Sequence, residues 1–429
     1  MIKKRLLTTL TMVALGTMTA TAATAQTELR MSWWGGSSRH QATLKALEKF
    51  HEKYPDIVVK GEYTGWNGHL SRLTTQVAGN TEPDVMQTNW NWLPIFSRDG
   101  KGFFDMSQKA DALHIGNFPK QAINMTTVKG KINGLPVSIT SRVFYYNKDS
   151  WAKAGVKYPT TWEDFKKAGQ AFKAKLGDGY YPLVVEARDV FAINRSIFIQ
   201  KYGKDVINHK TNMLNLTPKE MTEFFQIYVD MVKNHVFPST KEFASYGKGN
   251  MNEMRPWIDG HFGGLYMWNT SIKKYADNLE PPQSMELGPY PMAPGATDSG
   301  LLARPSMMFS IGRNTKHPEA AAKLVNFLLN DPAGVKAMGL ARGVPLSSSG
   351  LDALKAAGEL DETSLPFQGY KMAQTLPQVI LPTAYTDNAQ LMELFEEEMQ
   401  HLDYGQSNAE KSAKNFIRRG NRVLRRIAK

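Results

Sequence analysis

The sequence predicts an α/β protein built from two large lobes, and three features indicate this fold class. Strand-like and helix-like segments alternate from Glu28 onwards, which is typical of a parallel sheet with helices on both faces. About 400 residues follow the first 25, and a chain of this length exceeds what one hydrophobic core usually organises. The hydrophobic fraction of 42% is large enough to fill two cores.

The first 25 residues have the order of charged, apolar and small residues that is found in secretory leaders. Lys3, Lys4 and Arg5 form a basic head, a short apolar run follows, and Ala23–Ala25 gives an A-x-A cleavage pattern. The apolar run is too short and too rich in threonine to anchor the chain in a bilayer. The sequence has no cysteine, which excludes lipid attachment at cysteine, disulfides and thiolate metal sites. We therefore expect a leader over 1–25, export to the periplasm and no membrane anchor.

The first unit of the mature chain is predicted to alternate short strands with helices. The predicted strands are 28–34, 57–63 and 84–89, and the predicted helices are 39–54 and 68–79, the first with Ser37 or Ser38 as its N-cap. The stretches SWWGG, TGWNG and NWNWLP fall where these strands end. Because ligands of open α/β sheets bind at the carboxyl ends of the strands, we expect binding residues in these stretches.

A second unit is predicted to begin near residue 140. Thr161 and Asp164 form an N-cap pair for a helix, and YYPLVVEARD is predicted to be a strand that ends in charged residues. Helices and the apolar segment HFGGLYMWN follow, and the proline- and glycine-rich stretch 281–297 is expected to be a loop. A strand and a strongly periodic helix then occupy 307–334, and the rest of the chain is predicted to be mainly helical.

Four stretches together resemble the family-1 extracellular solute-binding proteins of ABC transporters, the carbohydrate group that includes maltose-binding protein. They are LEKFHEKYPDIVVKGEYTGW, AGNTEPDVMQTNW, INGLPVSITSRVFYYNKDSWAKAGVKYPTTWEDFKKA, and IGRNTKHPEAAAKLVNFLLNDPAG with RGVPLSSS shortly after it. They occur in the order found in that family and cover nearly the whole mature chain. Within the family, the chain is most similar to the periplasmic oligogalacturonide-binding proteins, a narrower likeness that rests on fewer residues.

The resemblance implies a type II periplasmic binding protein fold, in which a hinge joins two discontinuous lobes. It places 26–139 and 291–340 in an N-terminal lobe, and 140–290 and 341–429 in a C-terminal lobe. It also implies an oligosaccharide ligand that is trapped as the lobes close, and delivery to an inner-membrane permease and its ATPase. We accordingly expect a monomeric binding protein that uses no cofactor and no metal ion and performs no chemistry on its ligand.

Aromatic residues at the predicted strand ends are candidates for sugar binding, because sugar C–H faces pack well on indole rings. Adjacent side chains of a strand point to opposite faces, so one of Trp33 and Trp34 is expected in the cleft and the other in the core. Trp268 falls where the maltose-binding relatives have a stacking platform. The predicted aromatic and amide set is Trp33, Trp34, Trp66, Trp90, Asn91, Trp268 and Asn269.

Arginines at predicted cleft positions favour an acidic sugar over a neutral one. Neutral-sugar relatives line their clefts with Asp and Glu, whereas the corresponding stretches here contain arginines, and a guanidinium group can bind a carboxylate through two hydrogen bonds. Glu186, two residues before one of these arginines, is a further candidate. The predicted polar set is Arg39, Arg142, Glu186, Arg188 and Arg304. We predict a uronic-acid oligosaccharide, with short galacturonides as the leading candidate.

Three alternatives remain at the level of sequence. The first is a binding protein of the same class for neutral oligosaccharides, and the second is an enzyme, either a periplasmic pectate lyase or a glycosidase. The chain lacks H-E-x-x-H, G-x-S-x-G and P-loop motifs, which disfavours the common enzyme classes. The third is nucleic-acid binding: the formal net charge of +12 favours anionic partners, but the basic residues are dispersed except near the C-terminus. We predict a binding protein that neither catalyses a reaction nor binds nucleic acid.

Overall fold

The computed structural model describes residues 26–66, 68–247 and 250–428, so the predicted leader lies outside the described residues. The strands are β1 (Thr27–Trp34), β2 (Ile57–Thr64), β3 (Val85–Thr88), β4 (Thr127–Val128), β5 (Lys131–Ile132), β6 (Leu135–Asn147), β7 (Gly264–Trp268), β8 (Met285–Leu287) and β9 (Ala303–Ile311). In the first half of the chain the helices are α1 (Ser37–Lys53), α2 (His69–Ala78), α3 (Leu93–Phe96), α4 (Lys120–Met125), α5 (Lys148–Ala154), α6 (Trp162–Leu176) and α7 (Ala187–Tyr202).

The second half of the chain is mainly helical, and after residue 334 this agrees with the prediction. Its helices are α8 (Pro218–Lys233), α9 (Thr240–Ser245), α10 (Arg255–Ile258), α11 (Ile272–Ala276), α12 (Pro318–Asn330), α13 (Pro332–Met338), α14 (Ser348–Ala356), α15 (Leu365–Thr375), α16 (Ala389–Asp403) and α17 (Ala409–Ala428). Over the described ranges, none of the helices combines the length and the hydropathy that crossing a membrane requires.

The main sheet is mixed, with a parallel part at one edge. Its strands lie in the order β2, β1, β3, β9, β6 and β7, and β8 also pairs with β6. Strand β1 is parallel to β2 and β3, as the alternation of strands and helices predicts. Strands β9, β6, β7 and β8 are joined by antiparallel pairing, as is the separate β4–β5 hairpin. The predicted α/β class is confirmed, and the parallel order holds for the first three strands.

Two hydrophobic cores form the interiors of the two lobes. One core draws its buried residues from 29–137 and 307–346, and the other from 143–303 and 373–424. The predicted lobe boundaries at 291 and 341 remain predictions, and core membership differs from them at two places. Leu301 packs in the second core, and Leu346 packs in the first.

Strands β6 and β9 run from one core to the other and form the connection that positions the site. Leu135 at the start of β6 belongs to the first core, whereas Val143 in its second half belongs to the second. Strand β9 runs antiparallel beside it, and its register with β6 shifts near Ser138. Such an irregularity bends the strand locally. The residues that follow this bend are therefore placed between the two lobes.

Two local predictions are corrected by the structure, and one is confirmed. The YYPLVVEARD segment is not a strand: it makes isolated bridges and then enters helix α7 at Ala187. The side chain of Asp189 caps the first turn of this helix. The N-cap of α1 is Gly36 rather than a serine. Trp90–Trp92, which follows the third predicted strand, forms a 3-10 turn. The predicted Thr161–Asp164 pair does form a capping box at the start of α6.

Candidate ligand-binding cleft

An aromatic cluster lies at the carboxyl ends of β1, β2 and β3. The Trp34 ring lies 5.3 Å from Trp66 and 5.1 Å from Trp92, and the Trp66 and Trp92 rings are stacked at 5.4 Å. Trp34 and Trp92 are buried, whereas 52% of Trp66 is exposed. This cluster therefore presents the indole of Trp66 to solvent and uses the other two rings as its support.

His69 closes the buried side of this aromatic cluster. Its ring lies 5.3 Å from that of Trp34, and its Nδ1 is 3.0 Å from the hydroxyl oxygen of Thr64. Burial lowers the pKa of His69 to about 4, and repulsion from Arg72 adds to this shift. The imidazole is consequently neutral at physiological pH and supports the cluster as an uncharged ring.

Trp33 and Trp34 do not divide between core and cleft as predicted. Trp33 has no exposed surface: its indole N–H donates to Nδ1 of His40 (3.1 Å), and its ring stacks on Tyr63 at 4.9 Å. The placement of Trp33 as a ligand-binding residue is corrected, because no face of its indole is accessible. Trp34 points to the other side of the sheet, but it is also buried, and Trp66 covers it.

A second group of predicted residues converges where β6, β7 and β9 meet. The guanidinium carbons of Arg142 and Arg304 lie over the Trp268 ring, 4.7 Å and 4.8 Å from its centroid. Arg304 also lies 5.9 Å from the centroid of Trp90, which belongs to the first core. Arg142 is the cross-strand neighbour of Trp268 in the β6–β7 pairing. Two rings and two cations predicted for the site therefore form one group between the lobes.

Each of these two arginines has an aspartate partner that sequence reasoning did not single out. Arg142 forms a buried ion pair with Asp189, and Arg304 donates from Nη2 to Asp387 at 3.1 Å. Burial lowers the pKa of Arg142 to about 10, so this guanidinium group remains charged at neutral pH. These ion pairs hold the arginines over Trp268 and neutralise much of their charge.

The two predicted asparagines have different surroundings. Asn269 is buried: its Oδ1 accepts from the backbone N–H of Ser141 (3.0 Å), and its Nδ2 donates to the carbonyl oxygen of Pro366 (3.2 Å). These bonds connect the end of β7 to β6 and to the start of α15, and the role of Asn269 as a ligand contact stays a prediction. Asn91 lies in the 3-10 turn after β3, and its buried Oδ1 bonds to no atom of the described residues.

Arg39 lies at the first turn of α1, as predicted, and has an unexpected neighbour in Arg342. Arg39 donates from Nε to the carbonyl oxygen of Ala341 at 3.0 Å and from Nη1 to that of Trp34 at 3.4 Å. Arg342 is buried and donates from Nε to Oε1 of Gln87 at 2.8 Å. Sequence reasoning did not single out Arg342, although RGVPLSSS, which it opens, is one of the stretches that carried the family resemblance.

Glu186 and Arg188 are placed at the exposed start of α7 instead of at a strand end. Both side chains line a pocket of about 290 Å³ in the second lobe, together with residues of α9 and α16. Glu186 is the N-cap residue of α7: its carbonyl oxygen accepts from the backbone N–H of Asp189 (2.9 Å), and its own N–H donates to Oδ2 of Asp189 (2.9 Å). Its charge still acts on Arg142, whose pKa it raises slightly against the larger effect of burial.

Comparison with known proteins identifies the family. A family model described as bacterial extracellular solute-binding protein matches residues 36–335. The chain belongs to this family. A periplasmic oligogalacturonide-binding protein from Yersinia enterocolitica, solved with saturated digalacturonic acid, is 51% identical over 94% of this chain and 100% of that one, with a TM-score of 0.84. A periplasmic solute-binding protein from Pectobacterium atrosepticum is 43% identical over the same shares, with a TM-score of 0.88.

These relatives confirm the two-lobed type II fold that the resemblance implies for this extracellular solute-binding protein. A de novo designed cysteine esterase is also 50% identical over 94% of this chain and 100% of that one, with a TM-score of 0.91. The present chain has no cysteine, so it contains no counterpart of a cysteine nucleophile. Across the described ranges, no group of three or more His, Asp or Glu side chains is arranged to hold a metal ion.

Proposed function

We propose that this solute-binding protein captures acidic oligosaccharides in the periplasm, and that its ligands are oligogalacturonides. The observation that carries the proposal is the group of Trp90, Arg304, Trp268 and Arg142 between the lobes, which combines flat rings for sugar faces with guanidinium N–H groups for sugar oxygen atoms. The Yersinia relative that was solved with digalacturonic acid, at 51% identity, supports the same ligand class. The protein acts as a soluble monomer and delivers the sugar unchanged to an inner-membrane permease and its ATPase.

The proposed mechanism is closure of the lobes around the ligand, driven by stacking and polar contacts. A guanidinium group that stacks on an indole keeps its N–H edge free to bind oxygen atoms. Arg304 lies over both Trp268 and Trp90, whose rings belong to different lobes. Closure of the lobes would therefore change the contacts that Arg304 makes with these two rings. Sugar C–H faces would pack on the accessible parts of Trp268 and Trp66, and closure would remove these surfaces from water.

Calorimetric titration with digalacturonate, trigalacturonate and maltotriose tests the ligand class. We expect both galacturonides to bind and maltotriose to bind at least one hundredfold more weakly, because only the galacturonides bear carboxylates. Added salt should weaken galacturonide binding only modestly, because cations buried in a cleft are screened less than surface charges. Equal affinity for maltotriose and trigalacturonate would refute the proposal and favour a neutral oligosaccharide.

Incubation with galacturonide oligomers tests the proposal that the protein is not an enzyme. We expect the oligomers to be recovered at their original length, without the ultraviolet absorbance of an unsaturated product. Shortened or unsaturated products that appear in proportion to protein concentration would instead establish a glycosidase or a lyase.

Expression of the full chain in a Gram-negative host tests the proposed localisation. The mature protein should be recovered in the periplasmic fraction with Gln26 as its first residue, since cleavage is expected after Ala25. Retention of the first 25 residues in a membrane fraction would contradict both the cleavage and the absence of an anchor.

A further inference from the structure

The turn between β1 and α1 has the features of an anion-binding site. The chain leaves β1 at Trp34, passes through Gly35 and Gly36, and begins the 17-residue helix α1 at Ser37. Gly36 offers no side chain to cap the helix, and the first turn contains no acidic residue. Backbone N–H groups at an uncapped helix start carry a partial positive charge that favours anions.

Two arginines from distant parts of the chain converge on this turn. Arg39 donates to the carbonyl oxygen of Trp34, and the same oxygen accepts from Nε2 of Gln87 at 3.2 Å. Gln87 in turn accepts from Nε of Arg342. A Cβ atom on Gly35 would lie 2.7 Å from Cδ of Arg39, so only glycine at this position lets the arginine side chain fold back over the turn.

No carboxylate compensates the charge of this arginine pair among the described residues, although the guanidinium carbon of Arg342 lies 5.4 Å from the centroid of the Phe309 ring. Among the described residues, neither Arg39 nor Arg342 forms an ion pair with a carboxylate. Only 4% of Arg342 is exposed, and its buried Nη2 has no hydrogen-bond partner. Burial lowers the pKa of both groups, and repulsion from Arg39 lowers that of Arg342 further. A buried cation without a counter-ion is costly, so an anion bound beside it would relieve this cost.

Buried arginines elsewhere in the chain have the partner that these two lack. Arg195 is fully buried and forms a two-pronged pair with Asp205, with distances of 2.8 Å and 2.9 Å. Arg142 is also buried against an aspartate, Asp189, which it contacts through one carboxylate oxygen. The absence of an aspartate beside Arg342 is therefore a local property of this turn and not a general feature of how the protein buries its arginines.

We propose that the first turn of α1, Arg39 and Arg342 bind one carboxylate group of the acidic oligosaccharide. This inference rests on the proposed function and assigns the step that separates acidic from neutral sugars. Arg39 and the backbone N–H groups contact the carboxylate, while Arg342 supplies charge from behind them. The site lies at the carboxyl end of β1, beside the Trp34–Trp66–Trp92 cluster. Ser138 ties it to β6 by donating to the carbonyl oxygen of Arg342 at 2.8 Å.

The test compares digalacturonate with its neutral dimethyl ester in calorimetric titrations of the full mature protein. The variants are Arg39→Gln, Arg342→Gln, both together, and Arg342→Lys, which keeps the charge. Arg425→Gln is the matched control: it removes the same charge from an exposed position on α17, in the other lobe. Melting temperatures without ligand verify folding, and the partly exposed Arg39 gives the variant that least disturbs packing.

Arg39→Gln and Arg342→Gln should each weaken digalacturonate binding by about tenfold or more, because each removes a charged contribution to the same carboxylate site. The affinity for the ester should fall by less than threefold, so the variants should lose most of the preference for the free acid over the ester. The fold-loss of digalacturonate affinity in the double variant should be smaller than the product of the two single losses. Arg342→Lys should retain most of the preference for the free acid over the ester.

Two outcomes would overturn the inference, and they are distinguishable. If the wild type prefers the free acid and both glutamine variants keep that preference as Arg425→Gln does, the carboxylate site is wrong while the proposed function stands. If the wild type binds neither digalacturonate nor its ester, the proposed function fails and the carboxylate site fails with it.

Discussion

Replacement of Asp189 by asparagine should destabilise the second lobe, because Asp189 compensates the buried charge of Arg142. The Asp189 side chain has two roles: one oxygen pairs with Arg142, and the other accepts from the backbone N–H of Glu186 at 2.9 Å. Asparagine keeps an oxygen acceptor for the helix cap but loses the negative charge. The substitution therefore tests the ion pair while preserving the start of α7.

The expected loss follows from the burial of the ion pair. The side chains of Arg142 and Asp189 are only 9% and 4% exposed. Leaving one member of a buried ion pair without its partner costs about 3–5 kcal/mol. Arg142 keeps a hydrogen bond to the carbonyl oxygen of Tyr266 (3.1 Å) and its position over Trp268, so we expect the lower end, about 3 kcal/mol. At about 2–4 °C per kcal/mol for a lobe of this size, the melting temperature should fall by about 6–12 °C.

Urea unfolding, followed by tryptophan fluorescence and circular dichroism, measures this loss against a matched variant. Asp164 occupies the same position in the capping box of α6 but has no buried arginine beside it. Asp164→Asn should therefore cost about 1 kcal/mol or less. Combining Asp189→Asn with Arg142→Met removes both charges and should cost clearly less than the sum of the two single variants. If Asp189→Asn and Asp164→Asn differ by less than 1 kcal/mol, Asp189 does not compensate a buried charge.

Three other properties can be checked by single substitutions or by pH. Acidification from pH 6.5 to 4 should lower the free energy of unfolding of the first lobe by up to about 3 kcal/mol, because the pKa of His69 is lowered in the folded state and the unfolded chain therefore binds the proton first. In urea titrations, His69→Gln should remove this part of the pH dependence. The same pH dependence in the variant and the wild type would contradict the prediction. Gly169→Ala should lower the melting temperature, because the added Cβ would overlap the carbonyl oxygen of Asn234. Alanine usually stabilises helices relative to glycine, so a higher melting temperature would show that this contact relaxes. Trp268→Ala should weaken digalacturonate binding at least tenfold in calorimetry, and wild-type affinity would show that no sugar packs on this ring.

The strand ends of the first lobe could be predicted because local sequence determines them. The strand segments that end at Trp34 and Thr64 are followed by glycines, and parallel pairing then brings the tryptophans of successive strand ends together. Which of these rings is exposed could not be predicted in the same way. Trp33 is covered by His40 and Tyr63, and the covering of a ring depends on how the helix packs on the sheet.

The error at Arg188 has a local cause. The segment LVVEA contains two adjacent valines, which favour a strand, and the bridge between Val184 and Leu265 of β7 shows that it is extended there before α7 begins. The competing signal was a helix start: Glu186 and Asp189 have the spacing of a capping box. Recognition of that pair would have placed Arg188 in the first turn of a helix.

The partners of the arginines could not be inferred from sequence, because they are distant along the chain. Asp189 lies 47 residues from Arg142, and Asp387 lies 83 residues from Arg304. Neither aspartate belongs to a motif that marks it as a counter-ion. Counting arginines therefore predicted the sign of the charge in the cleft but not its local balance.

This balance bears directly on ligand choice. A carboxylate that binds Arg142 or Arg304 must compete with an aspartate that already occupies the guanidinium group, so the net gain there is small. A carboxylate beside Arg39 and Arg342 meets no such competitor among the described residues and relieves an existing repulsion. Stacking on Trp66 or Trp268 would contribute to neutral and acidic sugars alike. Discrimination between them should therefore depend on the arginines without a counter-ion and not on the larger number of arginines in the cleft.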